Sequence, residues 1–513
     1  MNKRRWVIYL VIMMSLLISC SRPFANQPSA IPVPVTGRLL TLSPLGTERK
    51  LPNKILGASV ESLIEHVLDD PLKVAAIKTT APAVIRFPGG SQSNYYNWQD
   101  GLLHFDAKPD SSSYYKYWAG LAPAIARGHP NGVSYEDYAV FAKQIGGADI
   151  IIVPNLETSS VDDQAAWFKK LTQENLTPKN IELGNEFWVA MAGDPNVMQK
   201  WPDEASSMRV MQQYTAALRP YVGDDVKFAV QASAAAFTVL PDDQRPFYRR
   251  LLKWDADLAP ADWFQAVTMH LYPDAQKMIA DAHNPTPQQV FELLMGRSDQ
   301  GVDRAVDDIA KKLPGKEIWV TEWSPRGGSP VNLDRPDLDN VPPPMNAQLV
   351  ARTELALLRH NEVTKAQYFT LFSGDNNVLQ AYVRSGNQYL PMAQTVVVGW
   401  FDDAANGGAS FQRLVETNGQ IISDLGPFKE SYRPIEGGLF RSSGRTVLIL
   451  QNASEESRLY DLALNNMPKP AFAELLITAD LTIKEHVAAQ VTQLDLNAPI
   501  VIPPLSILHV VWK

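Results

Sequence analysis

The sequence is poor in cysteine and in metal-binding patterns. It contains one cysteine, Cys20, and eight histidines among 513 residues. A single cysteine excludes a disulfide within the chain, and its place near the N-terminus leaves no thiol for catalysis or for a metal. No His-x-x-x-His pair and no cysteine cluster is present. We therefore expect no metal site and no cofactor.

Excess positive charge and long apolar runs are also lacking. The net charge is -8, which argues against nucleic acid as a partner because phosphate binding needs basic patches. Apolar residues make up 45% of the chain and charged residues 20%, a globular composition with ample material for a core. An apolar run extends from Trp6 to Ile18 and is too short to span a membrane comfortably.

That run has the features of a processed leader. It follows the basic residues Lys3, Arg4 and Arg5 and ends in Leu-Ile-Ser-Cys at Cys20, which resembles the bacterial lipobox. We predict a lipoprotein signal peptide over 1–19, a lipid anchor at Cys20 and a flexible tether over 20–37. Ser21 follows the cysteine, so we expect the outer membrane of a bacterial cell envelope. An ordinary signal peptide with an incidental cysteine is the alternative.

Eight short apolar runs alternate with helical patterns through the middle of the chain. They cover Lys54–Val60, Ala83–Phe87, Asp149–Pro154, Asn180–Leu183, Lys227–Gln231, Gln265–Met269, Glu317–Val320 and Ala366–Leu371. Continuous apolar strands are typical of parallel sheets that are buried on both faces. The alternation predicts a (β/α)8 TIM barrel over 53–405. An open doubly wound sheet is the alternative, although no Gly-x-Gly-x-x-Gly follows the first strand.

The pattern changes after about residue 408. Short strands separated by polar turns predict a C-terminal antiparallel β-sandwich domain, formed by 38–52 together with 406–513. Arg38–Ser43 is expected to add one strand to it. We interpret this sandwich as a packing partner of the barrel rather than as a carbohydrate-binding module.

Polar residues follow the predicted barrel strands at their C-terminal ends, where barrel enzymes place their active sites. These candidates are Glu61, Arg86, Asn155, Asn185, Glu186, His270, Tyr272, Glu322 and Trp323. The long connection Gly89–Val133 adds Trp98 as an aromatic candidate for sugar stacking. Together they predict one polar cluster at the top of the barrel.

Two of these residues are the carboxylates that glycosidic bond cleavage requires. Glu186 ends strand four and Glu322 ends strand seven, on opposite sides of a barrel mouth. One carboxyl group protonates the leaving oxygen, and the other attacks the sugar or activates water. A separation of about 5 Å would mean retention of configuration, and about 6.5–9.5 Å would mean inversion.

The motifs around these residues resemble those of clan A glycoside hydrolases. The strand-four sequence Ile-Glu-Leu-Gly-Asn-Glu, ending at Glu186, resembles the segment that carries the acid/base. The strand-seven sequence Trp-Val-Thr-Glu-Trp around Glu322 resembles the nucleophile segment. The strand-six sequence ending at Tyr272 resembles the segment whose tyrosine hydrogen-bonds the nucleophile. The Arg-Phe-Pro-Gly-Gly sequence beginning at Arg86 resembles α-L-arabinofuranosidases.

The resemblance implies a retaining glycosidase with a poly- or oligosaccharide as substrate. Glu322 would be the nucleophile, kept ionised by Arg86 and Tyr272, and Glu186 would be the acid/base with a raised pKa. Asn185 would donate to the sugar 2-hydroxyl. His270 is either a site residue or a core histidine.

The sugar and the outcome of catalysis stay open. The motifs are divided among the α-L-arabinofuranosidase, β-xylosidase and β-glucuronidase (heparanase-like) families. A transglycosylase would use the same two glutamates. A non-catalytic carbohydrate-binding lipoprotein and a structural surface lipoprotein are the alternatives from other classes.

Overall fold

The computed structural model describes ten segments of the chain. They are 37–105, 113–189, 201–240, 242–273, 286–325, 342–372, 381–462, 467–478, 480–481 and 486–513. Residues 37–513 form one compact unit. The predicted signal peptide, Cys20 and most of the predicted tether lie outside the described segments. Within those segments, no helix is both long and apolar enough to cross a bilayer.

Eight parallel strands form the predicted barrel. In chain order, barrel strands 1 to 8 are Leu56–Ala58, Val84–Phe87, Asp149–Ile152, Asn180–Glu182, Lys227–Gln231, Ala266–Leu271, Glu317–Trp323 and Val363–Tyr368. Strands 2 to 8 pair in sequence order, and strand 8 pairs with strand 1. The barrel prediction is therefore confirmed, and this order excludes the doubly wound alternative.

A glycine lets strands 1 and 2 close the barrel. The backbone N–H of Ala83 donates to the carbonyl of Leu56 at 3.2 Å, next to strand 2. A Cβ on Gly57 would lie 1.9 Å from the carbonyl oxygen of Val84. Only glycine permits this approach of two backbones.

The barrel interior is filled beneath its C-terminal end. Side chains from strands 2, 3, 5, 6 and 7 form one cluster, made of Val84, Ile151, Ala229, Ala266 and Trp319. Side chains two apart on a strand point to the same face. Arg86 therefore follows Val84 on the interior face, one layer nearer to the C-terminal end.

Helices surround the barrel, and several of them begin at a side-chain cap. They span Ser62–Glu65, Pro71–Thr80, Ser113–Gly128, Tyr135–Gln144, Val161–Gln173, Glu204–Val222, Ala235–Thr238, Pro246–Asp257, Pro287–Gly296, Val302–Lys312, Pro343–Leu358 and Ala393–Ala405, with a π-helical turn at Arg297–Gly301. The predicted N-cap Ser134 accepts a hydrogen bond from the backbone of Asp137. Ser160 and Asp203 cap their helices in the same way.

The described part of the long connection after strand 2 contains regular structure. It contains a 3-10 helix, Ser91–Tyr95, a hairpin of Tyr96–Asn97 with Leu102–Leu103, and the helix Ser113–Gly128. Tyr96 is buried and donates its hydroxyl hydrogen to the carbonyl of Val133 at 2.9 Å. This contact ties the hairpin to the end of the connection.

The C-terminal region forms two sheets and a core between them. The larger sheet contains Leu42–Pro44, Arg49–Lys50, Ser410–Glu416, Ile435–Ser442, Arg445–Asn452, Phe472–Ile477, Val491–Gln493 and Ser506–Trp512. The smaller sheet contains Arg38–Leu40, Arg458–Tyr460 and Ile500–Ile502. Two further hairpins pair Tyr382–Ser385 with Gln388–Pro391 and Ile422–Leu425 with Glu430–Tyr432.

The N-terminal segment differs from its prediction. Arg38–Ser43 was expected to add one strand, but it supplies one strand to each sheet. Arg38–Leu40 pairs in parallel with Arg458–Tyr460, so the sandwich is not wholly antiparallel. The cause is burial, since Leu40 packs between the sheets with Leu450 and Ile502.

A buried ion network joins the barrel to the sandwich. Arg352 on a barrel helix contacts Glu436 of the sandwich at 2.7 Å and Asp299 at 3.2 Å. Arg413 also contacts Glu436, at 2.8 Å. Removing one partner of such a pair would leave an unpaired buried charge at this interface and would strongly destabilise the protein.

Candidate active site

A buried arginine lies at the centre of the polar cluster. Arg86 is fully buried on strand 2, where the residues next to it in the sequence are apolar. Its Nε and Nη2 donate to the two carboxylate oxygens of Glu182 at 2.8 and 2.9 Å. Nη1 donates to Glu322 at 2.5 Å, and Nη2 also donates to Asn185 at 2.8 Å. Strands 2, 4 and 7 are thus joined by one guanidinium.

Glu322 is held at both carboxylate oxygens. Oε1 accepts from Arg86, and Oε2 accepts from the hydroxyl of Tyr272. A Cβ on Gly90 would lie 2.5 Å from Oε1, so the Gly-Gly turn after strand 2 is needed for this close approach. The two donors fix the orientation of the carboxylate.

Glu186 occupies a different environment. It follows strand 4 in a turn where Gly184 has φ 77° and Glu186 itself has φ 52°. Its side chain is 22% exposed, whereas that of Glu322 is 6% exposed. A left-handed conformation costs a non-glycine residue about 1–3 kcal/mol, and such residues cluster at functional sites.

His270 lies between the two glutamates. Its Nδ1 is 2.7 Å from Oε1 of Glu186 and 3.5 Å from Oε2 of Glu322. One carboxylate oxygen of each glutamate and a ring nitrogen of His270 all lie within 4.8 Å of one another. The two carboxyl groups predicted from strands 4 and 7 therefore face each other at short range.

The charge of His270 follows from its neighbours. Burial alone would lower its pKa, but the carboxylates of Glu322, Glu182 and Glu186 raise the pKa to about 10. His270 is accordingly an imidazolium at neutral pH. In that form it has no lone pair for a metal ion, although three possible ligands meet here.

Glu182 is a site residue that the sequence analysis did not select. It is buried on strand 4, accepts from Arg86 and from the hydroxyl of Thr321 at 3.1 Å, and lies 3.8 Å from Nε2 of His270. Burial opposes its charge, but Arg86 and His270 keep its pKa low. A signal was present, because Glu182 and Arg86 are opposite charges inside two apolar strands.

Glu61, a predicted site residue, is buried and lies close enough to Glu322 for their charges to interact. It accepts a hydrogen bond from Nε2 of Gln92 at 2.8 Å. Burial, followed by repulsion from Glu322, raises the pKa of Glu61 to about 8. At neutral pH this side chain is therefore a neutral carboxylic acid.

The amide of Asn185 is oriented by the connection after strand 2. Its Oδ1 accepts from Arg86, and among the residues that the structure describes its Nδ2 has one long contact, of 3.4 Å, with Ser91. Asn94 holds the backbone of Asn185 by donating to its carbonyl at 3.0 Å. Asn94 was not selected from the sequence, since nothing local distinguishes it from other loop asparagines.

Three predicted residues do not join this cluster. Asn155 is buried and binds the carbonyl of Tyr96 and the hydroxyl of Thr158, so it shapes the loop after strand 3. Trp98 packs on Trp167 and donates to Asp163, both on the helix after strand 3. Trp323 is buried against Tyr368.

Several solved structures share this fold. A GH51 arabinofuranosidase from Xanthomonas axonopodis pv. citri is 14% identical, with 91% of this chain and 97% of that chain covered and a TM-score of 0.60. A family 51 alpha-L-arabinofuranosidase from Bifidobacterium longum is also 14% identical, with 92% and 98% covered and a TM-score of 0.62. A 4-O-alpha-L-rhamnosyl-beta-D-glucuronidase from Fusarium oxysporum is 13% identical, with 92% and 99% covered and a TM-score of 0.54.

The likeness spans nearly the whole of each chain. It confirms the predicted architecture of a TIM barrel with a β-sandwich and its resemblance to these families at the level of the fold. No protein-family model matches the sequence, and no curated protein is similar to it. Function must therefore be argued from the site.

Glu61→Gln tests the raised pKa of Glu61. Between about pH 4.5 and 8 the folded protein keeps a proton that the unfolded chain releases, so this group's contribution to stability falls as pH rises. We expect the free energy of unfolding of the variant not to show this fall. The difference in that free energy between the variant and the wild type should therefore rise by a few kcal/mol from pH 5 to pH 8.5. Urea unfolding at both pH values measures it.

The exposed Glu455→Gln is the control and should keep the wild-type slope. An unchanged pH dependence in Glu61→Gln would mean that Glu61 is ionised in the folded protein.

Glu182→Gln tests whether Glu182 holds the two cations. Without its charge, Arg86 loses an ion pair and His270 loses a carboxylate, so we expect a loss of about 3 kcal/mol in the free energy of unfolding. The pKa of His270 should fall below its value of about 10, as read from an NMR titration of its ring proton.

Thr321→Val is the comparison variant, because it removes an uncharged donor to the same carboxylate and a contact of 3.2 Å with Nε2 of His270 but leaves the charge of Glu182 in place, and it should cost about 1.5–3 kcal/mol. Equal effects on His270 in both variants would contradict an ionic role for Glu182.

Proposed function

We propose that the protein is a retaining glycoside hydrolase that cleaves the O-glycosidic bonds of a poly- or oligosaccharide. The observation that carries the proposal is the placement of Glu186 and Glu322, with one oxygen of each within 4.8 Å of the other. Retaining enzymes hold their two carboxyl groups about 5–5.5 Å apart, whereas inverting enzymes leave room for a water between them.

Glu322 is the nucleophile in this mechanism. Arg86 and Tyr272 orient its two oxygens before attack. It attacks the anomeric carbon as the bond to the leaving oxygen breaks, and a covalent glycosyl-enzyme forms. Glu186 is less buried and gives its proton to the leaving oxygen.

The mechanism requires Glu186 to hold a proton at the start, and the charges of the other four groups of the cluster already balance without it. Arg86 and His270 supply two positive charges, and Glu182 and Glu322 supply two negative charges. The cluster is therefore balanced only while Glu186 is neutral. A further negative charge in a largely dry site would be unfavourable.

The same balance is kept after the first step. Glycosylation removes the charge of Glu322 as Glu186 loses its proton, so the net charge of the cluster stays at zero. Glu186 is then a base, beside the imidazolium of His270 at 2.7 Å. It accepts a proton from the water that attacks the anomeric carbon, and the sugar leaves Glu322.

Asn185 is placed to contact the sugar. Its Oδ1 is engaged by Arg86, so its Nδ2 is the group that donates. A hydrogen bond from this amide to the 2-hydroxyl would strengthen in the transition state and favour both steps.

The substrate class is a neutral sugar, and α-L-arabinofuranosides are the first candidates. Arg86 and His270, the two cations of the cluster, are both paired with carboxylates, so they are not available for a uronate. Support comes also from the shared fold, since the similar structures include arabinofuranosidases from two bacteria. A glucuronide would require a cation from outside this cluster.

Glu186→Ala and Glu322→Ala test the two roles. On arabinofuranosides, with xylosides, glucosides and glucuronides as comparison, both variants should lose activity, by about 10²–10⁴-fold for the acid/base. Azide should restore turnover to Glu186→Ala on a nitrophenyl glycoside and yield a glycosyl azide of retained configuration. With Glu322→Ala, azide should attack the substrate directly and yield the inverted product.

Glu455→Gln is the control and should keep full activity. Retained activity in Glu322→Ala would contradict the mechanism, and binding without cleavage by the wild type would favour a carbohydrate-binding lipoprotein. Products of increased chain length from the wild type would identify a transglycosylase.

We also propose that the mature protein is anchored by lipid at Cys20 in a bacterial cell envelope, with the outer membrane as its site. The support is the basic start at Lys3, the apolar run Trp6–Ile18 and the placement of the single cysteine. In bacterial cells, labelled palmitate should be incorporated into the wild type but not into Cys20→Ser. Equal labelling of both would contradict the anchor.

A further inference from the structure

The turn that carries Glu186 leaves the barrel wall after Leu183. The backbone N–H of Leu183 donates to the carbonyl of Ala229 on strand 5 at 3.0 Å. The chain then turns, with φ 77° at Gly184 and φ 52° at Glu186. The left-handed conformation at Glu186 is unfavourable for a residue with a Cβ, so contacts from outside the turn must maintain it.

The side chain of Gln231 spans this turn. Gln231 is buried at the end of strand 5. Its Nε2 donates to the carbonyl of Leu183 at 2.7 Å, and its Oε1 accepts from the backbone N–H of Phe187 at 3.0 Å. Both atoms of one amide are used, and they join the start of the turn to the residue directly after Glu186.

A glycine permits this close packing. A Cβ on Gly184 would lie 2.3 Å from the ring of Phe187 and 2.9 Å from Nε2 of Gln231. The carbonyl of Gln231 itself accepts from the indole N–H of Trp254 at 3.1 Å. The end of strand 5 is therefore fixed, and the amide that projects from it has a defined position.

Arg250 holds the chain just beyond the turn. It is half-buried on a helix that follows strand 5. Its guanidinium donates to the carbonyls of Phe187 and Trp188, at 3.1 Å each. It also donates to the carbonyls of Trp201 and Pro202, at 2.6 and 2.7 Å. One side chain thus links two segments of backbone through four carbonyl groups.

The ring of Phe187 is fixed as well. It stacks on Trp201, with ring centroids 4.0 Å apart and planes at 6°. Nε1 of Trp201 donates to Glu157 in the loop after strand 3 at 2.6 Å. The residue next to Glu186 is therefore held at its N–H, its carbonyl and its side chain.

We propose that Gln231 and Arg250 are positioning residues that hold Glu186 in place as the acid/base. This role rests on the proposed hydrolase function. Proton transfer needs the carboxyl group within hydrogen-bond reach of the leaving oxygen, and a displacement of about 1 Å can cost about 100-fold in rate. Gln231 and Arg250 act through Glu186 and not through Glu322, whose oxygens have other donors.

A misplaced acid/base has a kinetic signature. Phenolate is a basic leaving group that needs a proton, whereas dinitrophenolate leaves without one. A misplaced Glu186 therefore lowers kcat/KM for a phenyl glycoside far more than for a dinitrophenyl glycoside. The second step needs Glu186 as a base with either substrate. With the dinitrophenyl glycoside, kcat and KM should therefore fall together as the glycosyl-enzyme accumulates.

Gln231→Met tests the role, because methionine has a similar size and forms neither hydrogen bond. The substrates are phenyl and dinitrophenyl α-L-arabinofuranosides, or the corresponding xylosides, glucosides and glucuronides. We expect kcat/KM to fall by at least about 10-fold on the phenyl glycoside and by less than about 3-fold on the dinitrophenyl glycoside. The ratio of the two values does not depend on the fraction of enzyme that is folded.

Gln265→Met is the matched control and should keep the wild-type ratio. Gln265 also accepts from a backbone N–H, that of Phe228 at 3.1 Å, but at the opposite end of the barrel. Arg250→Met is a second test variant in case Gln231→Met does not fold, and it should change the ratio in the same direction. A general loosening of the barrel would lower kcat/KM alike on both glycosides.

A double variant separates action through Glu186 from other effects. Gln231→Met combined with Glu186→Ala should lose no more activity than Glu186→Ala alone. Equal losses on both glycosides in Gln231→Met and Arg250→Met, or no loss on either, would overturn the positioning role and leave the hydrolase in place. A wild type that cleaves none of these glycosides would overturn the proposed function, and the role of Gln231 with it.

Discussion

The active-site arrangement depends on one buried guanidinium. Arg86 has no exposed surface, and an unpaired charge in that position would be prohibitively unfavourable. Its partners Glu182, Glu322 and Asn185 come from strands 4 and 7, so the barrel must close in one register for the charge to be neutralised. The same ion pairs that permit burial also aim Glu322 across the barrel mouth.

The contrast between the two proposed catalytic glutamates follows from that arrangement. Glu322 has a cation and a hydroxyl on its two oxygens, whereas Glu186 stands in a turn and is more exposed. His270 contacts both, and its positive charge is favoured by Glu322 and Glu182, which raise its pKa. Two carboxyl groups of the same kind are thereby suited to different tasks, one to attack and the other to transfer a proton.

The sequence predicted the fold well because its signals are local. Apolar runs of strand length marked all eight barrel strands, and a polar residue directly after such a run marked Glu186, His270 and Glu322. Contacts between distant segments were not predictable in this way. His66 and His129 come from distant segments and meet only in the folded chain. Trp98 packs on a helix, and the sequence around a tryptophan in a loop does not indicate what it packs against.

For residues within or directly after a strand, the sequence did not predict the direction of the side chain. Glu182 lies inside a largely apolar strand, and its charge is compensated there by the ion pair with Arg86 from another strand. Asn155 and Trp323 stand at strand ends as Glu186 and Glu322 do. Asn155, however, forms hydrogen bonds within the loops, and Trp323 packs in the wall of the barrel. Position after a strand therefore predicts closeness to the site, whereas the direction of the side chain needs the structure.

The most direct test of the account is the configuration of the first product. An alkyl or aryl glycoside that the enzyme cleaves would be followed by proton NMR, before the released sugar equilibrates between anomers. The proposed double displacement predicts a first-formed sugar with the same anomeric configuration as the substrate. A first-formed sugar of opposite configuration would contradict it, because it would mean that water attacks directly and that Glu322 forms no covalent bond.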